Sequence, residues 1–198
     1  MASFSKHRRP LVVLAGLVVM GGTVLGAGGV AAGAAIGSAT APFCGITWGS
    51  LDKSAGVYPA PVSLLSTRTG QHDCWDRLVF EFDGPADGFR IGYRSEVYTE
   101  GKGDPLSGQT AGGALIGVQL LEPAYDPSTG TSSYPHAVGE HVANVAGYRT
   151  LRDVAFGGSF EGYTTFAVGV RARLPFRVFV LPGPGSHSRI VLDVAHRW

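Results

Sequence analysis

Asp76-Arg77-Leu78-Val79-Phe80-Glu81-Phe82 and, about a hundred residues later, Ser188-Arg189-Ile190-Val191-Leu192-Asp193-Val194 carry one pattern twice: polar, Arg, branched apolar, Val, large apolar, acid, apolar. The period is two, which is that of a strand with one buried face. Leu78, Phe80 and Phe82 share a face, and Arg77, Val79 and Glu81 share the other. In the second copy Ile190, Leu192 and Val194 take the inward positions. The repetition reads as equivalent core strands of two half-sheets. Their Arg and acid residues are expected on the opposite, wetter face, where a ligand surface would lie.

Working outward from 75–83, Gly84-Pro85-Ala86-Asp87-Gly88 has turn chemistry and 89–95 alternates again. Phe89, Ile91 and Tyr93 point one way, and Arg90, Gly92 and Arg94 the other. Strand, short turn, strand predicts a hairpin. Residues 113–122 are apolar on both faces, as a central strand requires. The run 123–147 has no period and reads as a long irregular loop, a kind that is often functional. Residues 148–156 suit a strand or a short helix, stopped by Gly157-Gly158. Residues 160–170, 175–181 and 189–194 read as strands, and 54–65 holds one short strand. Ser66-Thr67-Arg68-Thr69-Gly70 reads as a turn. Short strands at near-regular spacing, with Gly/Pro-rich loops and no amphipathic helix, predict an all-β fold, an antiparallel sandwich or an open barrel.

Residues 1–41 contain Lys6, Arg8 and Arg9 but no acid, followed by an uncharged apolar run over 11–36. That is the layout of an export signal with small-x-small cleavage sites near 37–41. The run is also long enough to anchor the chain if it is not cleaved. Without the leader, 13 basic residues (16 less 3) face 15 acidic ones, so the remainder has a net charge of −2. This is no footprint for nucleic acid, and membrane contact is expected only through an uncleaved leader. The division expected is 1–41 leader, 42–73 tethered extension and 74–198 β domain.

Cys44 and Cys74 are the two cysteines, both beyond the leader. An even count in an exported chain favours a disulfide. His72 and Asp73 beside Cys74 are too few for a zinc site, and His136 with His141 lacks further ligands, so no metal is expected. No cofactor motif is found, and Gly157-Gly158-Ser159-Phe160-Glu161 fails as a nucleophile elbow. No catalytic residue is assigned. Arginine dominates the cations beyond the leader, where only Lys53 and Lys102 are lysines. Arg offers a planar fork for carboxylates and stacks on rings. The candidate ligand-binding residues are Arg77, Tyr93, Arg94, Tyr148, Arg149, Arg177 and Arg189.

Phe43-Cys44-Gly45-Ile46-Thr47-Trp48-Gly49-Ser50, Cys74-Trp75-Asp76-Arg77, Asn144-Val145-Ala146-Gly147-Tyr148-Arg149, Gly158-Ser159-Phe160-Glu161-Gly162 and Pro175-Phe176-Arg177-Val178-Phe179 are phrases of this chain. Together with the closing strand, they resemble the AMIN-like domain of exported actinobacterial proteins, over roughly 43–198. That family is distantly similar to the AMIN domain, a β-sandwich that binds peptidoglycan. The resemblance implies a non-catalytic module of the cell envelope, with a cell-wall polymer or an envelope protein as partner. In the first case Arg and Tyr side chains on a sheet face would bind glycan or peptide. In the second the 123–147 loop or a sheet edge would meet a protein.

Overall fold

The computed structural model describes residues 42–56 and 61–198, so the export-signal reading of 1–41 lies outside the described residues. Among the described residues nine strands form two antiparallel sheets. The larger contains β1 (Lys53–Ala55), β4 (Phe89–Arg94), β5 (Ala114–Leu120), β7 (Tyr163–Val170) and β6 (Leu151–Phe160), in that spatial order. The smaller runs β2 (Leu64–Gln71), β3 (Trp75–Phe82), β9 (Ser188–Ala195) and β8 (Phe176–Pro182). The fold is therefore an all-β sandwich, with β5 inside its sheet as its two apolar faces require.

The alternation read from sequence sets the core. Leu78, Phe80, Phe82, Ile190, Leu192 and Val194 are fully buried from the small sheet. They meet Ile91, Ile116, Val118, Leu120, Phe166 and Val168 from the large one in a single cluster. Phe80 and Phe166 touch across the two layers, ring centroids 5.0 Å apart. Burying one such ring contributes about 2–3 kcal/mol.

The two copies of the opening pattern are placed differently from the expectation. They are not equivalents in separate half-sheets. β3 and β9 are antiparallel neighbours in one sheet, with Leu78 opposite Leu192 and Phe80 opposite Ile190. The predicted hairpin over 75–95 is also corrected, because β3 and β4 belong to different sheets. The turn at 84–88 carries the chain across the sandwich, and Ser188 Oγ fastens it by donating to Gly84 O (2.6 Å) and accepting from Ala86 N (2.7 Å).

Residues 66–70 are strand rather than turn: Arg68 lies opposite Val79 and Gly70 opposite Arg77. Their β-branched threonines, alternating with polar residues, fit an edge strand. Gly157-Gly158 does not stop β6, which continues to Phe160 through a register shift at Phe156/Gly158. Glycine there serves a bulge, since Gly158 has φ +96. The strand expected over 160–170 starts only at Tyr163. Glu161 (φ 49) and Gly162 (φ 85) form a two-residue turn with both φ positive, the twist that closes a tight hairpin.

Residues 123–147 hold no strand, as expected of that stretch, but they pack closely. Tyr134 is 2% exposed, set edge-on to Phe156 and Phe166, and its hydroxyl meets Thr67 Oγ1 at 2.8 Å. The Cys44–Cys74 disulfide is formed, with Cα atoms 6.4 Å apart. It ties the segment around Trp48 to the head of β3. Among the described residues no helix is long and apolar enough to cross a membrane.

Candidate functional site

Register places Arg77 (β3), Asp193 (β9) and Arg177 (β8) in one row across the outer face of the small sheet. Arg77 forks the carboxylate, Nε to Oδ1 at 2.6 Å and Nη2 to Oδ2 at 2.9 Å. Arg177 reaches Oδ2 through Nε at 2.9 Å and Nη2 at 2.8 Å. Asp193 is fully buried beneath them, so the acid does not lie on a wet face as expected, while the two Arg side chains stay 22% and 30% exposed. Two guanidinium charges against one carboxylate leave the row net positive. The one acid is fully buried and accepts on both oxygens, from Arg77 on Oδ1 and from both guanidiniums on Oδ2.

Aromatic rings frame the row. The Arg177 guanidinium lies 5.0 Å from the Trp75 and Phe179 centroids and 5.5 Å from Trp48. Arg77 lies 5.5 Å from Phe179 and 5.9 Å from Trp75. His72 stacks on Trp75 at 5.0 Å, and Trp48 tilts against Trp75 at 6.1 Å. Strand alternation explains part of this, since Trp75 and Arg77, like Arg177 and Phe179, are two apart and share a face. The disulfide explains the rest by bringing Trp48 to Trp75. Trp75 Nε1 is buried with no hydrogen-bond partner, an unspent donor within the cluster.

The remaining candidates are dispersed. Arg149 stands at the end of the same sheet, in a polar cleft of about 340 Å³ lined by Gln71, His72, Asp73, Asp76 and His196. His72 belongs to both this cleft and the aromatic cluster. Arg189 shares the outer face but lies toward the other end, donating to Pro182 O at 3.3 Å. Glu81, opposite it in register, is held instead by His187 (3.0 Å) and Arg68 (2.5 Å). The His187 hydrogen bond, with Arg68, keeps the Glu81 carboxyl below the usual carboxylate range.

Tyr148 is half-buried and spends its hydroxyl on Thr69 Oγ1 (3.1 Å). Tyr93 and Arg94 are on the other sheet. The Tyr93 phenol points inward and is shared with the backbone of Leu174, donating to its O at 2.7 Å and accepting from its N at 2.8 Å; burial raises its pKa. Arg94 points outward and pairs with Asp52 at 2.9 Å. Of the seven candidates, the structure joins Arg77 and Arg177 through Asp193, and Arg149 shares a cleft with His72, which stacks on Trp75. Trp48, Trp75 and Phe179 are not among the sequence candidates, and His72 enters there only as a rejected metal ligand. Their available signal was the alternation with the arginines, plus the two Trp residues placed close to the cysteines.

The AMIN-like domain family model matches residues 62–196. The chain belongs to the AMIN-like domain family. The match begins just ahead of β2, so the family's unit includes that strand as well as β3–β9. No curated protein and no solved structure matches the chain. Membership fits a module of the cell envelope, and the Cys44–Cys74 bond fits an oxidising compartment.

Proposed function

We propose that this AMIN-like domain is an exported, non-catalytic module that binds cell-wall glycan or peptide on the outer face of its small sheet. The observation that supports this reading is the Arg77–Asp193–Arg177 row framed by Trp48, Trp75 and Phe179. Excess guanidinium charge suits the carboxylates of a wall peptide, and ring faces beside it suit the apolar face of a sugar. Asp193 holds both forks in place, so little side-chain freedom is lost when a ligand arrives.

Co-sedimentation with purified cell wall tests the proposal. The wild type is expected to pellet with the wall. Arg177→Ala is expected to bind about tenfold more weakly, the loss of one charge-assisted contact. Binding no greater than that of an unrelated exported β-protein overturns the proposal.

A further inference from the structure

The sandwich has four edge strands: β1 and β6 in one sheet, β2 and β8 in the other. Three are blunted. β1 is three residues long and starts on Lys53. β6 is covered by the 139–142 segment, through Gly139 N to Phe156 O (2.7 Å), Val142 N to Val154 O (2.8 Å) and Phe156 N to Glu140 O (2.9 Å). β2 is flanked by residues 133–148, through Ser133 Oγ to Leu64 O (2.8 Å), the Tyr134–Thr67 and Tyr148–Thr69 bonds, and Gln71 Nε2 to Gly147 O (3.0 Å).

β8 is different. Ala195 N donates to Pro175 O and Gly183 N to His187 O. Antiparallel alternation therefore turns the main-chain N–H and C=O of Arg177, Phe179 and Leu181 toward β9, and those of Phe176, Val178 and Val180 away from it. The Phe176 N–H is taken by Gly49 O at 2.8 Å. Among the described residues nothing bonds to the main chain of Val178 or Val180. No Lys, Arg, Asp or Glu lies between Arg177 and Arg189. An apolar edge with free N–H and C=O groups is a template for another strand, and proteins that remain single usually protect such an edge with charge.

We propose that β8 pairs with β8 of a second copy of this chain, antiparallel, about a two-fold axis through Val180. The choice of occupant follows from self-complementarity: an uncharged edge meets its twin without like-charge repulsion, and the free N–H and C=O of Val180 match those of its twin. Val180 and the partner's Val180 exchange both N–H···O bonds. Each Val178 N–H reaches the other copy's Pro182 carbonyl. That carbonyl already accepts Arg189 Nη2 at 3.3 Å and keeps a second lone pair. Proline at 182 supplies only its carbonyl, so each Val178 carbonyl lacks a main-chain donor opposite it, and four main-chain bonds hold the pairing about the axis. The alternative axis, at Phe179, puts the partner's Pro182 opposite Phe176, where Gly49 already sits. The contact is isologous and closes as a dimer. It continues the small sheet through both copies and sets their two Arg177 residues on one face, about 20 Å apart along the strands. If the wall-binding reading holds, the dimer is bivalent toward a polymer.

Sedimentation of the full chain over a range of concentrations tests the pairing. The wild type is expected to show a two-chain mass. Val180→Pro removes an N–H that faces away from β9, so the β8–β9 ladder is kept while the mass falls to one chain; Val180 is half-buried against the core, so cooperative unfolding of the variant is checked alongside the mass. Leu181→Lys charges the same edge from the outer face, away from the core cluster, and is likewise expected to give a one-chain mass. A wild-type chain that stays single at high concentration overturns the proposal, as does a two-chain mass that survives both variants. Arg177→Ala keeps the two-chain mass whatever it does to wall binding, so failure of either proposal is read separately.

Discussion

Arg77 and Asp193 face each other on adjacent antiparallel strands, and the guanidinium takes both carboxylate oxygens, at 2.6 and 2.9 Å. The pairing follows from the repeated pattern. Each copy has Arg four residues before its acid, so laying one antiparallel on the other brings Arg77 against Asp193 and Arg189 against Glu81. The same operation sets Leu78 against Leu192 and Phe80 against Ile190, which fills the inner face while the charges meet on the outer one.

Removing the two partners of this row should have unequal effects. Asp193→Ala leaves two guanidiniums crowded together without their buried counter-charge and should cost about 3–5 kcal/mol. Arg177→Ala leaves the carboxylate still forked by Arg77 and should cost about 1 kcal/mol, in the range of a partly exposed pair. Urea unfolding of the two variants measures both. Equal losses would contradict the ranking.

The Cys44–Cys74 bond spans 30 residues. In the chain-entropy account, closing that loop stabilises by about 3–4 kcal/mol. Cys74→Ser should lower stability by that order and release Trp48 from Trp75. Tryptophan fluorescence should then shift to the red under native conditions, before global unfolding. Mass spectrometry of the untreated protein should find no free thiol.

Glu122 is fully buried, with Oε1 accepting Gly88 N at 3.0 Å and Oε2 unpartnered. Burial, reinforced by the charge of Asp87, pushes its pKa from 4.5 up to about 7. The folded state therefore keeps a proton that the unfolded chain gives up above about pH 4.5. Its stabilising contribution is complete below that pH and is lost as pH rises through about 7, by roughly 3 kcal/mol in all. Glu122→Gln should remove that slope. Urea midpoints of the two proteins compared between pH 4.5 and 8 isolate the contribution from other titrating groups. Parallel curves would refute it.

The strands with a clean two-residue period were legible because one buried face dictates alternation, as in 76–82 and 188–194. Partnership was not, since alternation fixes which face a residue takes but not which strand lies beside it. Hence the alternation suits β3 and β9 equally in one sheet or in two, and the short turn after β3 suits a hairpin although β4 lies in the other sheet. Thr67 and Thr69 looked like turn residues because their burial comes from Tyr134 and Tyr148, far along the chain. At the site, the arginines were legible by residue type. The rings around them were not, because Trp48 arrives through the disulfide and Phe179 through β8–β9 register.

The turn between β6 and β7 gives a local test of backbone chemistry. Glu161 has φ 49 and Gly162 φ 85, the left-handed values needed at both central positions of a tight hairpin. Glycine bears such a φ without a Cβ clash, whereas glutamate does not. Glu161→Asn, which tolerates the left-handed region, should stabilise by about 0.5–1 kcal/mol, and Gly162→Ala should destabilise by about 1 kcal/mol. Because Phe160 lies opposite Tyr163 across this turn, both effects should appear first as altered hydrogen-exchange protection at the β6–β7 end. A destabilising Glu161→Asn would mean that the glutamate side chain, not the turn backbone, governs this position.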